Sequence, residues 1–349
     1  MKGIVFTGER KLELRTFPDP TPGPDEVVLE IKASGMCGSD LKFYRSAPGE
    51  ANKGLGIPAG AAVIAGHEPC GVVAAVGANV SAKRAHVGQR VMVHHYRGCA
   101  ACAHCSTGWP QMCVEGVAEV YGVTGHGAHA RYMKCPANSL VALPDALSFE
   151  TGAAIACGTG TAWGALKRLE LSGEQTIAIF GQGPVGLSAT QLAAALGARV
   201  IALDVSPQRL ARAKAFGATD IINPAETDPV AAIRELTHGL GAHATIDASS
   251  SAEARRQAVQ SVRTWGKVCL VGEGGQITLD VSPDLLRRQV TLIGSWTFST
   301  VGQAECASFI AERGIDVDQL FTERWALEDG EKAYQQFDKQ TGGKGVFVF

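Results

Sequence analysis

The sequence lacks the features that direct a chain into a membrane or onto nucleic acid. No run of about 18 apolar residues free of charges occurs, so we expect no membrane-spanning helix. The opening residues, MKGIVFTGERKLELR, contain no sustained apolar stretch, which predicts no secretory signal. The formal net charge of −2 offers no basic excess for nucleic acid or an anionic membrane surface. We therefore expect a cytoplasmic protein that binds neither nucleic acid nor a membrane.

The chain also lacks internal repeats and low-complexity tracts, which leaves an ordinary globular composition. Its 349 residues suggest two domains at the usual size of about 150 residues each. Without a predicted export signal, we expect the ten cysteines to be reduced rather than cross-linked. This expectation favours metal binding or catalysis for those cysteines that cluster.

Four cysteines cluster in the segment RGCAACAHCSTGWPQMC, at Cys99, Cys102, Cys105 and Cys113. Four thiolates are the donor set of a closed structural zinc site, and three thiols two residues apart can wrap one ion. A ferredoxin-type iron–sulfur cluster fits poorly, because the fourth spacing differs and no proline follows. The segment predicts a structural zinc that stabilises a loop and takes no part in chemistry.

A second set of possible metal ligands is dispersed along the chain. The candidates are Cys37, Ser39 and Asp40 in ASGMCGSDLKFY, His67 and Glu68 in VIAGHEPCGVV, and Cys157 in GAAIACGTGTAWGAL. A mixed set of Cys, His and Cys with one open position is a known catalytic zinc environment. Each signal alone is weak, because a single Cys among apolar residues is usually a small buried hydrophobe. We expect the remaining four cysteines to be small buried hydrophobic residues of this kind: Cys70, Cys135, Cys269 and Cys306.

A glycine-rich turn between a predicted strand and a predicted helix indicates dinucleotide binding. Thr176–Phe180 is predicted to be a buried strand, followed by GQGPVG and an Ala-rich helix to about Leu196. Within the turn, the predicted cofactor-binding residues are Gly181, Gly183, Pro184, Val185 and Gly186. The first glycine permits the tight turn, the second lets the backbone approach the pyrophosphate, and the third allows close helix packing.

A carboxylate ends the next predicted strand, Arg199–Leu203. This residue, Asp204, stands 23 residues after Gly181, where it would accept hydrogen bonds from the adenosine ribose hydroxyls. The same carboxylate would repel a 2′-phosphate, so the sequence favours NAD over NADP.

Strands and helices continue to alternate after Asp204, which predicts a doubly wound parallel sheet from about residue 158 to 296. The segment before it is rich in Gly, Val and Pro, with short strand-like runs such as EVVLEIKASG, and predicts a β-rich domain. The last stretch ends in a further predicted strand, GKGVFVF, which must pack against one of the two domains.

Taken together and in order, GMCGSD, GHEPCGVV, the four-cysteine loop, CGTGTAWGAL and GQGPVG resemble the zinc-containing medium-chain alcohol dehydrogenase family, within its threonine- and polyol-dehydrogenase-like branch. The resemblance covers essentially the whole length. It implies an α/β fold with a GroES-like catalytic domain split in sequence, residues 1–157 and 297–349, and a Rossmann domain at residues 158–296. The final strand would then return to the first domain.

The resemblance also assigns roles at the metal. It implies a catalytic zinc held by Cys37, His67 and Cys157, with Glu68 close to the ion. Asp40 would hydrogen-bond the zinc-bound histidine and fix its tautomer. Ser39 would take the proton of the alcohol. Many relatives then pass that proton to a histidine, but this chain has a lysine there, Lys42, whose ammonium cannot accept it.

Further contacts are implied for the cofactor and the substrate. Thr161 and Val185 match nicotinamide contacts, Arg209 matches a basic residue at the adenosine ribose, and Val271, Gly272 and Glu273 match a strand-end segment beside the nicotinamide. His95, Tyr96 and Trp296 fall at or near pocket positions. The implied cofactors are NAD and two zinc ions per chain, one catalytic and one structural.

The implied reaction is oxidation of a primary or secondary alcohol to an aldehyde or ketone, with hydride transfer to NAD. A polyol or L-threonine dehydrogenase is the nearest alternative, although the third ligand position often carries a carboxylate there and holds Cys157 here. A zinc-free quinone-type reductase and a non-enzymatic relative are further alternatives, both disfavoured by the complete ligand set. Relatives assemble as dimers or tetramers, so we expect a homo-oligomer joined through edge strands within CLVGEGGQITL and VTLIGSW.

Overall fold

The computed structural model describes residues 1–48, 50, 62–116 and 119–349. Within these residues the strands are β1 (Lys2–Gly8), β2 (Lys11–Thr16), β3 (Glu26–Gly35), β4 (Pro69–Val76), β5 (Arg90–Val93), β6 (Tyr96–Arg97), β7 (Glu119–Val120), β8 (Tyr132–Pro136), β9 (Leu140–Ala142), β10 (Thr176–Phe180), β11 (Arg199–Leu203), β12 (Asp220–Ile222), β13 (Ala242–Asp247), β14 (Val262–Leu270), β15 (Thr291–Gly294), β16 (Phe321–Trp325) and β17 (Lys344–Val348).

The α-helices of the same residues are α1 (Asp40–Arg45), α2 (Ala103–Ser106), α3 (Phe149–Ile155), α4 (Gly158–Leu169), α5 (Pro184–Ala195), α6 (Pro207–Ala215), α7 (Pro229–Leu236), α8 (Ala252–Ser261), α9 (Thr300–Arg313) and α10 (Gly330–Asp338). Short 3₁₀ turns occur at Pro110–Met112, Ala137–Ser139, Leu286–Arg288, Val317–Leu320 and Leu327–Asp329, and a π-helical turn at Val281–Leu285. None of the described helices is long and apolar enough to cross a membrane.

The chain divides into two compact units. The first contains residues 1–157 and 299–349, and the second contains residues 158–298. The second unit is continuous in sequence, whereas the first is assembled from both ends of the chain.

The second unit is built on a six-stranded parallel sheet with the order β12-β11-β10-β13-β14-β15. Two of its inner strands, β10 and β11, are buried almost throughout, which is the pattern of a parallel sheet covered on both faces. The order reverses at β10, so the carboxyl ends of β10 and β13 flank a topological switch point, where open α/β sheets bind ligands. The predicted doubly wound sheet is confirmed.

The first unit is organised around the ten-residue strand β3. One edge of β3 pairs with β4, and the other edge pairs with β8 at its start and with β17 at its end. The register of the last pair sets Val346 opposite Gly35, antiparallel. The final strand of the chain therefore completes the sheet of the amino-terminal half, which is the arrangement that the family resemblance implied.

Two hydrophobic clusters stabilise this unit. One packs apolar side chains of β3, β4, β5 and β8, with Leu29, Ile31 and Val91 fully buried. The other packs α1 and α10 onto β1 and β17, around Tyr44, Tyr334 and the other members of that cluster. Burial of such side chains contributes roughly 1.5–3 kcal/mol each, so these clusters fix the position of the helices that carry site residues.

One prediction about a local element is wrong, and one helix was not predicted. The first predicted edge strand, within CLVGEGGQITL, is not an edge, because β14 pairs on both sides with β13 and β15, and GEGGQITL forms no strand. The second predicted edge segment, VTLIGSW, contains β15, which does lie at an edge of the described sheet. Helix α3, which precedes Cys157, is not among the elements predicted from the sequence, because a short helix with several Gly and Ala residues gives a weak periodic signal.

Candidate metal centre and dinucleotide loop

Four candidate metal ligands converge in the first unit: Cys37, His67, Glu68 and Cys157. One donor atom from each lies within 4.8 Å of the others. The two sulfur atoms of Cys37 and Cys157 are 3.8 Å apart. Two thiolates bound tetrahedrally to a zinc ion at about 2.3 Å would be about 3.8 Å apart, so the donor set and its spacing fit zinc.

The fold brings these residues together from three distant segments. Cys37 follows the end of β3 and precedes α1, whose first residue, Asp40, donates its N–H to the Cys37 carbonyl at 3.0 Å. His67 and Glu68 immediately precede β4, the strand that pairs with β3. Cys157 lies in the turn between α3 and α4. The pairing of β3 with β4 therefore sets two of the segments side by side.

The polar groups around the cluster favour anionic sulfur and an oriented imidazole. The hydrogen bond from Cys157 lowers the pKa of the Cys37 thiol well below its usual range, and the same contact raises the pKa of Cys157. Burial opposes a charged His67, but the Asp40 carboxylate and the Cys37 sulfur raise the pKa of His67 well above its usual range. Shifts of the pKa in several neighbouring groups are typical of a metal or catalytic site.

Asp40 holds the far side of the His67 ring. Its Oδ1 lies 2.9 Å from His67 Nδ1, and its Oδ2 accepts the backbone N–H of Cys37 at 2.9 Å. The carboxylate therefore leaves Nε2 as the ring nitrogen directed away from it. Ser39 is exposed, and its Oγ lies 3.2 Å from His67 Nε2.

Glu68 is fully buried and forms an ion pair that the sequence analysis missed. Lys344, at the start of β17, lies 2.7 Å from Glu68 Oε1 and 2.6 Å from Oε2, and it also donates to the Met36 carbonyl at 3.1 Å. Burial raises the pKa of Glu68 to about 7 against the opposing effect of Lys344. A lysine that opens an apolar strand, as in GKGVFVF, was the only signal available in the sequence.

The remaining predicted residues near the metal differ in their surroundings. Lys42 lies exposed on α1. His95 is buried, its ring centre lies 5.3 Å from that of His67, and its Nδ1 lies 2.9 Å from the Ala156 carbonyl oxygen. Because a carbonyl only accepts, Nδ1 of His95 carries the proton, and burial lowers the pKa of His95 well below its usual range.

The four clustered cysteines also converge. Their sulfur atoms lie within 4.8 Å of one another, with 4.0 Å between the sulfurs of Cys99 and Cys105 and between those of Cys102 and Cys113. Backbone N–H groups of Cys105 and Val114 lower the pKa of Cys102 to about 6, which favours the thiolate that a metal needs. Four sulfurs at this spacing fit a closed zinc site. Cys70, Cys135, Cys269 and Cys306 are buried away from both clusters, as small hydrophobes.

The glycine-rich turn in the second unit has the geometry of a dinucleotide loop. Gly181 has a φ of +90°, a left-handed conformation that a side chain would strain. A Cβ on Gly186 would lie 1.8 Å from the Gly181 carbonyl oxygen, so only glycine allows α5 to pack this closely. Gly183 caps α5 without any side-chain hydrogen bond, and the first-turn N–H groups remain available to an anion. These observations fit a bound pyrophosphate.

Asp204 follows β11 and is held by backbone donors. Its Oδ2 accepts the Gln182 N–H at 2.7 Å and its Oδ1 accepts the Ser206 N–H at 2.9 Å. Arg209 Nη1 lies 3.7 Å from Asp204 Oδ2. The carboxylate is thereby oriented at the carboxyl end of its strand.

The other predicted cofactor residues lie on the same unit. Thr161 is half-buried on α4, and Val185 is in the first turn of α5. Val271, Gly272 and Glu273 follow β14, and the N–H groups of Val271 and Gly272 donate to the Asp247 carbonyl at 2.9 and 3.0 Å. Trp296 belongs to this unit and is 43% exposed.

Comparisons with known proteins identify the family. A zinc-binding dehydrogenase profile matches residues 184–312, and an alcohol dehydrogenase GroES-like domain profile matches residues 23–145. An uncharacterized zinc-type alcohol dehydrogenase-like protein of Escherichia coli (strain K12) is 38% identical, covering 100% of this chain and 99% of the relative. The chain belongs to the zinc-containing alcohol dehydrogenase family. It is thus related to medium-chain oxidoreductases.

Other members of this family differ in their named substrates. Sorbitol dehydrogenase of Bacillus subtilis (strain 168) is 33% identical, covering 96% of this chain and 93% of the relative. L-threonine 3-dehydrogenase of Symbiobacterium thermophilum is 30% identical, covering 97% of this chain and 96% of the relative.

Solved structures of the family share the fold. Alcohol dehydrogenase TADH from Thermus sp. ATN1 superimposes with a TM-score of 0.89 at 26% identity, covering 100% of this chain and 99% of the other. The structure of a short chain alcohol dehydrogenase from Escherichia coli CFT073 in complex with NADH has a TM-score of 0.87 at 25% identity, covering 100% of this chain and 99% of the other. The GroES-like and Rossmann architecture is therefore confirmed for this family member.

Proposed function

We propose that this chain is a zinc-dependent dehydrogenase that oxidises an alcohol to an aldehyde or ketone and transfers the hydride to NAD. The observation that carries the proposal is the convergence of Cys37, His67 and Cys157, whose donor atoms lie within 4.8 Å of one another. The NADH complex of a structural neighbour supports the choice of a nicotinamide cofactor.

The three ligands would hold one zinc ion and leave an open position for the substrate. When bound, the ion supplies Lewis-acid stabilisation to the ionising alcohol. His67 would bind through Nε2, because its Nδ1 faces the Asp40 carboxylate at 2.9 Å. Glu68 is paired with Lys344 and is therefore a neighbour rather than a required ligand.

The proton of the alcohol leaves through groups of this chain. We assign its first acceptor to Ser39, whose exposed Oγ lies 3.2 Å from His67 Nε2, beside the ligand atoms. Lys42 is exposed on α1, and as an ammonium it can only donate. The proton would therefore pass from the exposed Ser39 hydroxyl toward solvent rather than to the residue at position 42.

The second unit would hold the dinucleotide. The first-turn N–H groups of α5 would bind the pyrophosphate, and Asp204 would accept hydrogen bonds from the adenosine ribose. The bound cofactor supplies the hydride acceptor. The Asp204 carboxylate disfavours a 2′-phosphate, which supports NAD over NADP, although Arg209 lies only 3.7 Å away.

A polyol is the second candidate substrate, and His95 favours it. With Nδ1 directed at the Ala156 carbonyl, the ring presents a lone pair at Nε2, which accepts hydrogen bonds from hydroxyl groups. A ring 5.3 Å from His67 stands close to the proposed ion. A second hydroxyl on the substrate would match this acceptor, and the sorbitol dehydrogenase relative is in keeping with it.

A kinetic panel tests the proposal. NADH formation is followed with a simple secondary alcohol, sorbitol and L-threonine, using NAD and then NADP. We expect turnover with NAD that Cys157→Ser abolishes, whereas Cys306→Ser, at a buried cysteine of α9, leaves it unchanged. Equal activity in the two variants would contradict the proposal.

The same panel separates the two substrate classes. If His95 recognises a hydroxyl, His95→Phe lowers kcat/KM for sorbitol by roughly 10- to 100-fold and leaves the simple alcohol nearly unaffected, since a hydrogen bond to a neutral group is worth about 1–3 kcal/mol when lost. An equal effect on both substrates would assign His95 to packing.

Assembly and location remain predictions. Leu292 on β15 is 40% exposed and Leu286 is 59% exposed, in keeping with an edge that pairs with a second copy. We propose a homo-oligomer on this basis. None of the ten cysteines, all of which lie in the described part of the chain, forms a disulfide. This suits a reducing compartment, which is the ground for proposing a cytoplasmic location.

A further inference from the structure

A chain of buried hydrogen bonds leads from the core of the first unit to the proposed metal ligand His67. Ser34 Oγ lies 2.8 Å from His129 Nδ1, and His129 Nε2 lies 2.7 Å from the Tyr334 hydroxyl. That hydroxyl lies 3.1 Å from Asp40 Oδ2, and Asp40 Oδ1 lies 2.9 Å from His67 Nδ1. Five polar side chains thus form one continuous path.

The path is shielded from solvent along its length. Ser34, His129 and Tyr334 are fully buried, Asp40 is 2% exposed and His67 is 5% exposed. The members come from β3, the segment before β8, α10, α1 and the segment before β4. Buried polar groups are costly unless each is satisfied, so a fully connected path from five segments specifies one arrangement.

The direction of every hydrogen bond follows from the Asp40 end. A carboxylate only accepts, so the Tyr334 hydroxyl donates to Asp40 Oδ2. Having used its one proton, the Tyr334 oxygen accepts from His129 Nε2. The His129 ring then has its lone pair at Nδ1, which accepts from the Ser34 hydroxyl.

The assigned hydrogen-bond directions require a neutral His129 ring with one N–H. Burial lowers the pKa of His129 to about 4, so the ring carries a single N–H at neutral pH. The reverse orientation would direct the Tyr334 proton at His129 and leave two oxygen lone pairs facing each other, 3.1 Å apart, between Tyr334 and Asp40. The donors therefore all run toward Asp40.

Asp40 is held in orientation by two hydrogen bonds and by its ion-pair contact with His67. Its Oδ2 accepts from Tyr334 and from the Cys37 backbone N–H, at 3.1 and 2.9 Å. Its Oδ1 is left to face His67 Nδ1. A carboxylate held in this way accepts the Nδ1 proton of His67 and leaves Nε2 deprotonated, in the tautomer that binds a metal.

We propose that Tyr334 and His129 are positioning residues that act through Asp40 to hold His67 in its metal-binding tautomer and orientation. This inference rests on the proposed function, because it assumes that His67 binds the ion. It adds two residues, distant in sequence from every ligand, to the determinants of metal affinity.

Zinc release from the intact holoprotein to a chelator tests the proposal. Tyr334→Phe removes one hydroxyl and preserves the ring packing against Phe6, whose centre lies 4.8 Å away. Tyr44→Phe is the matched control, because Tyr44 is equally buried in the same cluster and its hydroxyl is outside the path. Cys157→Ser should retain zinc only at the four-cysteine site. The rate at which this variant releases zinc to the chelator therefore identifies the contribution of that site in the other proteins.

We expect Tyr334→Phe to weaken zinc binding at the His67 site by about tenfold, near the lower end of the effect of lost outer-sphere partners. Release from the four-cysteine site should not change, and Tyr44→Phe should match the wild type at both sites. Unchanged retention in Tyr334→Phe, or equal loss in the two variants, would overturn the inference. A wild-type chain with metal only at the four-cysteine site would instead overturn the proposed function and the inference with it.

Nitrogen NMR of the histidine rings provides a readout independent of metal binding and activity. His129 should show a protonated Nε2 and an unprotonated Nδ1 at neutral pH, and Ser34→Ala should shift its Nδ1 resonance. A protonated Nδ1 on His129 would reverse the path and remove the argument for Tyr334 as a donor to Asp40.

Discussion

At the scale of single residues, the buried charges beside the metal centre dominate the energetics. Glu68 is fully buried and Lys344 is 2% exposed, and each satisfies the other. Removing one partner of such a pair leaves an uncompensated charge in a medium of low dielectric constant, whereas removing both is often neutral. Each of the two residues is therefore needed for stability as long as the other is present.

Lys344→Met should lower the free energy of unfolding by about 3–5 kcal/mol, because Glu68 would remain buried without its cation. The double variant Lys344→Met with Glu68→Gln should recover most of that loss. Lys332→Met is the control, since Lys332 is an exposed partner of Asp329 and should cost less than about 1 kcal/mol. Urea unfolding measures all three, and equal losses for the two single variants would refute this account of the pair.

His129 should make stability depend on pH. Its pKa is about 4 in the folded protein, against about 6.5 in an unfolded chain, so below pH 6.5 the unfolded state binds a proton that the folded state does not. The free energy of unfolding therefore falls as pH falls, by up to about 3 kcal/mol at pH 4. Burial is the main cause, partly offset by Asp40 and reinforced by His67.

Urea unfolding between pH 7.5 and 4.5 measures this effect. His129→Gln should make the dependence below pH 6.5 shallower but not flat, because burial also lowers the pKa of His95. His86→Gln, at an exposed histidine, should leave the wild-type slope. A slope in His129→Gln as steep as that of the wild type would assign the acid sensitivity to other groups.

At the scale of elements, the turn from β10 into α5 joins strand, glycine loop and helix in one unit. The loop combines one glycine packed against backbone with one that faces open space: a Cβ on Gly183 would meet no atom within 4 Å, whereas one on Gly186 would clash with Gly181. Gly186 thus allows the close packing of the helix, and Gly183 leaves space for a ligand to approach the backbone.

The two glycines predict opposite phenotypes. Gly186→Ala should destabilise the second unit by about 1–3 kcal/mol, the usual cost of overpacking. Gly183→Ala should change stability by less than about 1 kcal/mol, because its φ of −70° suits alanine, yet it should weaken NADH binding. Thermal unfolding measures the loss of stability, and NADH fluorescence titration measures the loss of binding. A large loss of stability in Gly183→Ala, with an effect of Gly186→Ala on NADH binding alone, would contradict the roles given to the two glycines.

The sequence predicted the elements whose chemistry is local. Thr176–Phe180 and Arg199–Leu203 are strands as predicted, because continuous apolar runs bounded by glycine and aspartate leave few alternatives. The helix α3 was missed, since its Gly and Ala residues give no periodic apolar face. The predicted edge in CLVGEGGQITL failed because strand order is set by the whole sheet and not by the segment.

At the scale of the whole molecule, the metal centre depends on contacts that only the folded chain creates. Four clustered cysteines were visible as a motif, and a family resemblance suggested the dispersed ligands. Nothing in the sequence brought Lys344 to Glu68 or Tyr334 to Asp40, at sequence separations of 276 and 294 residues. Such partners come from the return of the carboxyl-terminal segment to the sheet of β3.

The central claim is that Cys37, His67 and Cys157 bind one zinc ion that is distinct from the ion of the four-cysteine loop. Zinc content per chain, measured on the purified wild type and on Cys157→Ser beside Cys306→Ser, tests it most directly. We predict about two ions per chain in the wild type and in Cys306→Ser, and about one in Cys157→Ser. A wild type with only about one ion, or a Cys157→Ser variant that keeps both, would contradict the account.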